Sequence, residues 1–94
     1  MNVNQLGITS EEIHSEITAY IKTNILFDER IEIGFDQSLL GSGVLDSTAI
    51  LELVSHIEEE YSLVFQDEEL VGENFDSIAR IAAIIQKKAG DSRQ

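Results

Sequence analysis

Few residues in this 94-residue chain could do chemistry. Two histidines, His14 and His56, sit on separate apolar-periodic segments. One serine, Ser47, stands where a glycine-bearing loop runs into an amphipathic stretch, Gly43-Val44-Leu45-Asp46-Ser47-Thr48-Ala49-Ile50-Leu51-Glu52-Leu53-Val54. Asp46 fits the N-cap of the helix that follows, its carboxylate accepting the free backbone N–H of Thr48 or Ala49. Ser47 is then the first helical residue, beside unpaired N–H groups and the positive end of the helix dipole. An anion attached to its hydroxyl is well placed there. Asp and Ser are also ordinary helix starters, so the dipeptide by itself says only that a helix begins here.

A nucleophilic serine needs a base within hydrogen-bond reach and a group that orients the base. His56 is nine positions along the same helix, about 13 Å of rise away. His14 belongs to another helix, where it reads as a surface or boundary residue, and spacing implies no acid partner for it. His56 falls on the helix side with no Asp or Glu arranged around it by spacing and is read as structural. No oxyanion-hole motif is present. The chain is therefore not expected to be an enzyme, and no residue is assigned as catalytic; Ser47 reads as a serine modified by another enzyme. No metal site is expected. Cysteine is absent, which excludes thiolate zinc sites and disulfides. An EF-hand loop beginning at Asp67 would place Gly72 sixth but Ile78 twelfth, where a bidentate glutamate is required. Gly41-Ser42-Gly43 has no lysine and no clear preceding strand, so it is not a phosphate-binding loop.

Three helices must position Ser47. Thr9-Ser10-Glu11-Glu12 is a capping box, and Ile13, Ile17, Tyr20, Ile21 and Ile25 mark one face of a helix over about residues 10–27. A long loop over 28–46 follows. In it Ile31, Ile33 and Phe35 form an extended segment packed on the bundle, Asp36–Leu40 forms a short helical turn with Leu39 and Leu40 inward, and the glycines break the chain. The second helix is expected over 47–61, with Ile50, Leu53, Val54, Ile57 and Tyr61 inward and Thr48, Glu52, Ser55 and Glu59 outward. Glu58-Glu59-Glu60 places three acids at the negative end of its dipole, where each costs a few tenths of a kcal/mol. Phe65 returns to the core, Asp67–Leu70 starts a short helical turn, and Asp76 or Ser77 caps a last helix over 77–89. That helix buries Ile78, Ile81, Ala82 and Ile85, with Ile84 close by, and Gly90 stops it. The fold class is all-α: a small antiparallel bundle of three long helices and one short one, a single domain over 1–94 with its core at about 9–89 and loose ends.

Eighteen acids against six bases give a net charge of −12 and a pI near 4.2. Nucleic-acid phosphates and anionic membranes repel such a chain, whereas basic protein surfaces attract it. Repulsion among the acids makes the fold salt-sensitive, with divalent cations stabilising it nonspecifically. No apolar run spans a bilayer and the first residues lack the parts of a signal peptide, so a cytoplasmic monomer is expected.

Gly43-Val44-Leu45-Asp46-Ser47 resembles the phosphopantetheine attachment motif of acyl and peptidyl carrier proteins, a glycine followed shortly by Asp-Ser-Leu. The likeness extends through Glu52-Leu53-Val54 and Ile57-Glu58-Glu59-Glu60-Tyr61, which resemble the recognition helix of the bacterial acyl carriers. It continues through Asp67-Glu68-Glu69 and Asn74-Phe75-Asp76-Ser77-Ile78, and covers about residues 10–88. The resemblance implies that 4′-phosphopantetheine from coenzyme A is esterified to Ser47, with Asp46 as cap and motif residue. It implies that the arm's thiol carries acyl or aminoacyl thioesters, and that Leu45, Thr48, Glu52, Ser55 and Glu59 meet partner proteins. The implied partners are a phosphopantetheinyl transferase, a cargo-loading ligase or acyltransferase, and downstream enzymes of fatty acid, polyketide, nonribosomal peptide or other specialised biosynthesis with basic docking patches. Thr48 departs from the family's usual leucine, which reduces the apolar surface beside the arm. With the long first loop, this favours a stand-alone carrier for a specialised pathway. The alternative is an acidic helical adaptor that binds a basic partner without a prosthetic group, Ser47 serving only in the helix start.

Overall fold

The structure is a computed structural model, and it describes residues 8–91, with the side chains of Gly90 and Asp91 left out. Of the ends expected to be loose, 1–8 and 91–94, residues 1–7 and 92–94 lie outside the described residues, whereas Ile8 packs against the core and Asp91 ends the last helix. It is a compact all-α domain. Helix α1 spans Ser10–Tyr20 and widens into a π-helical turn at Ile21–Ile25. Helix α2 spans Ser47–Tyr61 and helix α3 spans Ile78–Asp91. Two 3-10 turns, Asp67–Glu69 and Gly72–Asn74, lie between them, where a single short helix is expected from the sequence. No strand occurs among the described residues.

Each helix starts for a local reason. The hydroxyl of Thr9 accepts the Glu12 N–H at 3.0 Å while the Glu12 carboxylate accepts the Thr9 N–H at 3.0 Å, a complete capping box. Asp46 caps α2 through Ala49. For α3 the cap is Ser77, whose Oγ accepts the Arg80 N–H at 3.2 Å. Asp76 is turned to the long loop instead: it accepts the Ser38 hydroxyl at 2.8 Å and the Leu40 N–H at 2.9 Å.

The helix ends depart more from expectation. The last turn of α1 is wide, with the Leu26 N–H reaching back to the Ile21 carbonyl at 2.8 Å and the Asp28 N–H to Lys22 at 2.9 Å. Phe27 then reverses the chain in the left-handed region at φ 54°, where a side chain is crowded by its own backbone, and its ring is 79% exposed. At the end of α2, Ser62 is left-handed and the Glu58 carboxylate accepts the Phe65 N–H at 2.9 Å. One of the three terminal acids is thus used to turn the chain. Gly90 does not stop α3, which runs through it to Asp91. Glycine permits a left-handed stop without compelling one.

The core joins Ile13, Ile17 and Ile21 of α1 with Ile50, Leu53, Val54 and Ile57 of α2 and Ile78, Ile81, Ala82 and Ile85 of α3, all buried. Phe65 and Phe75 close it edge to face, ring centroids 5.2 Å apart. The loop 28–46 belongs to this core: Ile33, Leu39 and Leu45 are buried, and Ile31 and Phe35 pack against it in extended form. Asp36–Leu40 is a pair of turns rather than a helical turn. Leu39 therefore points in and its neighbour Leu40 points out, 37% exposed, a correction to the expectation that both are inward.

Candidate functional site

The chain enters α2 through a sharp reversal at Gly43. Its φ of +81° is open to glycine and strained for other residues, although a Cβ there would meet nothing within 4 Å. The backbone, not crowding, requires the glycine. The turn is closed by bonds from Ser42 N–H to the Ser38 carbonyl and from Gly43 N–H to the Leu40 carbonyl, at 3.0 and 3.1 Å. Leu45 then drops into the core, 3% exposed, with its N–H on the Leu39 carbonyl at 3.0 Å. Of the five residues expected to meet partners, Leu45 is thus the one whose side chain is inside. It sets the height at which α2 begins, while Thr48, Glu52, Ser55 and Glu59 are all exposed.

Asp46 is extended and exposed, and its Oδ1 accepts the Ala49 N–H at 2.8 Å. Ser47 follows as the first residue of α2, exposed, its hydroxyl making no hydrogen bond among the described residues. Beside it opens an apolar groove of about 250 Å³. Ile50, Val54 and Phe75 form its floor, and Leu40, Leu51, Leu70 and Val71 form its rim. Leu51 is 63% exposed, so the apolar surface beside Ser47 does not depend on position 48. Sequence reading missed Leu40, Leu51, Leu70 and Val71. The available signal was one helical turn from Ser47 to Leu51 and an apolar pair, Leu70-Val71, in a stretch otherwise acidic.

Both histidines are engaged away from Ser47. His14 Nε2 lies 2.9 Å from the Ile33 carbonyl and its ring is 5.5 Å from Phe35, so it pins the extended segment to α1, at the edge of a shallow hollow of about 440 Å³. His56 Nε2 lies 2.7 Å from Glu16 Oε2, and its ring stacks on Tyr20 at 3.6 Å. The Tyr61 hydroxyl donates to the other Glu16 oxygen at 3.1 Å. Burial, then the Glu16 charge, pushes the Tyr61 phenol well above its ordinary range. The reading of His56 as having no acid nearby is corrected: Glu16 comes from another helix, which spacing cannot show, and Glu60 lies four positions along α2, which spacing does show.

Among the described residues, no helix is long and apolar enough to cross a membrane. No protein-family model and no curated protein sequence matches the chain.

Proposed function

We propose that this chain is a carrier domain of the acyl and peptidyl carrier type, with Ser47 the attachment point for 4′-phosphopantetheine and with no catalysis of its own. The observation that carries the reading is the setting of Ser47. It is an exposed, unengaged hydroxyl on the first residue of a capped helix, between an apolar groove and an acidic face. The arrangement suits each part of the task. The phosphodiester is an anion, and α2 offers it unpaired N–H groups and the positive end of a dipole. The groove begins at Ser47 and offers about 250 Å³ of apolar shelter, enough for part of an acyl chain returning along the arm. Thr48, Glu52, Ser55 and Glu59 lie exposed along α2 and give basic partners a handle whose attraction is fast and weakened by salt.

In the attachment reaction the transferase delivers the pantetheine phosphate of coenzyme A to the Ser47 oxygen. The new bond is Oγ–P, the leaving group is adenosine 3′,5′-bisphosphate, and the serine proton goes to a base of the transferase. Asp46 holds the helix end at which the hydroxyl is presented. The cargo is then a thioester on the arm's sulfur. With no cysteine in the chain, that sulfur is the protein's single thiol.

Intact mass measured before and after incubation with coenzyme A, magnesium and a promiscuous phosphopantetheinyl transferase tests the reading. The expected result is a gain of one phosphopantetheine that Ser47→Ala abolishes while its helical circular dichroism stays intact. No gain on folded protein, together with unmodified Ser47 in protein from its own source, would instead support the acidic adaptor.

A further inference from the structure

We propose that Glu16, His56 and Glu60 bind one divalent transition-metal ion of the zinc type and so fasten α1 to the C-terminal half of α2. One ligand atom from each residue can be chosen so that all three lie within 4.8 Å of one another. His56 and Glu60 stand four apart on α2, the spacing that stacks two side chains on one helix face. Glu16 faces them from α1, already 2.7 Å from His56 Nε2. Around a tetrahedral zinc with bonds of about 2.0–2.1 Å, ligand atoms stand about 3.3 Å apart. The His56–Glu16 pair has to open by well under an ångström and Glu60 has to swing in.

Two of the ligands are oriented by neighbours that do not compete for the ion. Tyr20 stacks against the imidazole with an interplanar angle of 11°, and the Tyr61 hydroxyl holds Glu16 by its far oxygen, leaving Oε2 pointed at the site. Such outer contacts are what fix ligands in built metal sites. Glu60 makes no hydrogen bond or ion pair among the described residues and is exposed, so its movement breaks nothing. Among the described residues no lysine or arginine is paired with the three; the lysine and arginine side chains that form ion pairs there, Arg30 and Lys88, are on Asp28 and Glu69. Glu52 adds a further carboxylate four positions before His56 on the same helix. The local field therefore favours a cation.

The donor set chooses the class of ion. One imidazole nitrogen and two carboxylates suit zinc, cobalt or nickel, whereas magnesium and calcium prefer oxygen alone. Two carboxylates neutralise the dication, and three protein ligands leave a fourth position for water. Nε2 must give up its proton to bind. In a neutral imidazole the proton moves to Nδ1, and in an imidazolium one proton leaves to solvent, so affinity declines in acid. His56 is nine positions from Ser47, about 13 Å along α2, so the ion acts on the joint between helices and not on the serine.

Calorimetric titration of the full chain with zinc chloride in millimolar magnesium tests this. The expected result is a single equivalent that magnesium does not displace. The unfolding midpoint should rise by more than about 10 °C at free zinc a hundredfold above Kd. Glu60→Gln should weaken zinc about tenfold or more while leaving the metal-free midpoint nearly unchanged. Glu59→Gln removes the same charge one residue away and should stay within about twofold of wild type, since it keeps all three ligands. Nuclear magnetic resonance should show zinc moving the His56 ring signals and not those of His14. Equal losses in the two glutamine variants, displacement by magnesium, or no saturable heat would each overturn the proposal, leaving only diffuse attraction of cations to an acidic surface.

Discussion

Asp46 can be asked to separate its two roles. Its Oδ1 is the acceptor for the Ala49 N–H at 2.8 Å, one of the donors that the helix start leaves without an intrahelical partner. Asp46→Ala removes that acceptor. Because the site is exposed, water recovers part of the loss, which places the cost at about 1 kcal/mol, the middle of the N-cap range. In a domain of this size that lowers the unfolding midpoint by about 4–8 °C. Asp46→Asn keeps an oxygen in the same place and caps about as well. It forfeits the charge–dipole attraction, about 0.3–1 kcal/mol at low salt, but relieves one negative charge in a chain carrying −12. The two effects oppose, so the asparagine variant should stay within about 0.5 kcal/mol of wild type. Thermal unfolding of the unmodified proteins by circular dichroism at 150 mM salt reads the difference. In the same samples, the function proposed for Ser47 predicts that attachment of phosphopantetheine slows in Asp46→Asn despite its intact fold, because the exposed carboxylate adjoins Ser47 in the sequence. An asparagine variant that melts as low as the alanine variant would refute the capping account. A fully modified one at wild-type rate would confine Asp46 to the cap.

Three further outcomes follow from the packing and the loop. Phe75→Ala removes a ring that is 1% exposed and edge-on to Phe65, and should cost about 3–5 kcal/mol by urea denaturation. Phe27→Gly should raise stability by about 0.5–1 kcal/mol in the same assay, because the left-handed turn suits glycine and the mostly exposed ring contributes little burial. The Asp76 carboxyl is held below its ordinary value by the Leu40 N–H first and the Ser38 hydroxyl next. Its folded value lies under its unfolded one, so its stabilisation is present in full above about pH 4 and is lost as pH falls through the folded value. Asp76→Asn should accordingly be less stable than wild type at pH 7, with the gap closing toward pH 3.

The helices were legible because their signals are local. Ser47 and Tyr61 bound α2 as the apolar period and the cap predict, and the Thr9 box and the buried stripes of all three helices stand where the spacing puts them. What escaped was settled by distant partners. Leu40 and Leu45 exchange the environments expected of them because the Gly43 reversal and the Asp76 contacts fix which way each residue of the turn faces. The widening of α1 at Ile21–Ile25 leaves no mark in composition. Glu16 meets His56 across forty positions of sequence, beyond any periodicity. Ser47 itself was legible because its signals, a cap, a glycine and a following amphipathic helix, are contiguous.

The bond from Asp76 to the long loop bears on how the domain opens. Ser38 and Leu40 lie 38 and 36 residues from Asp76, and the Phe35 carbonyl also receives the Ala79 N–H at 2.9 Å, inside the first turn of α3. The start of the last helix is therefore finished by a segment that precedes α2. Opening the loop at Ser38–Leu40 would also free the segment that leads into α3, so two stretches more than thirty residues apart in sequence are held as one unit.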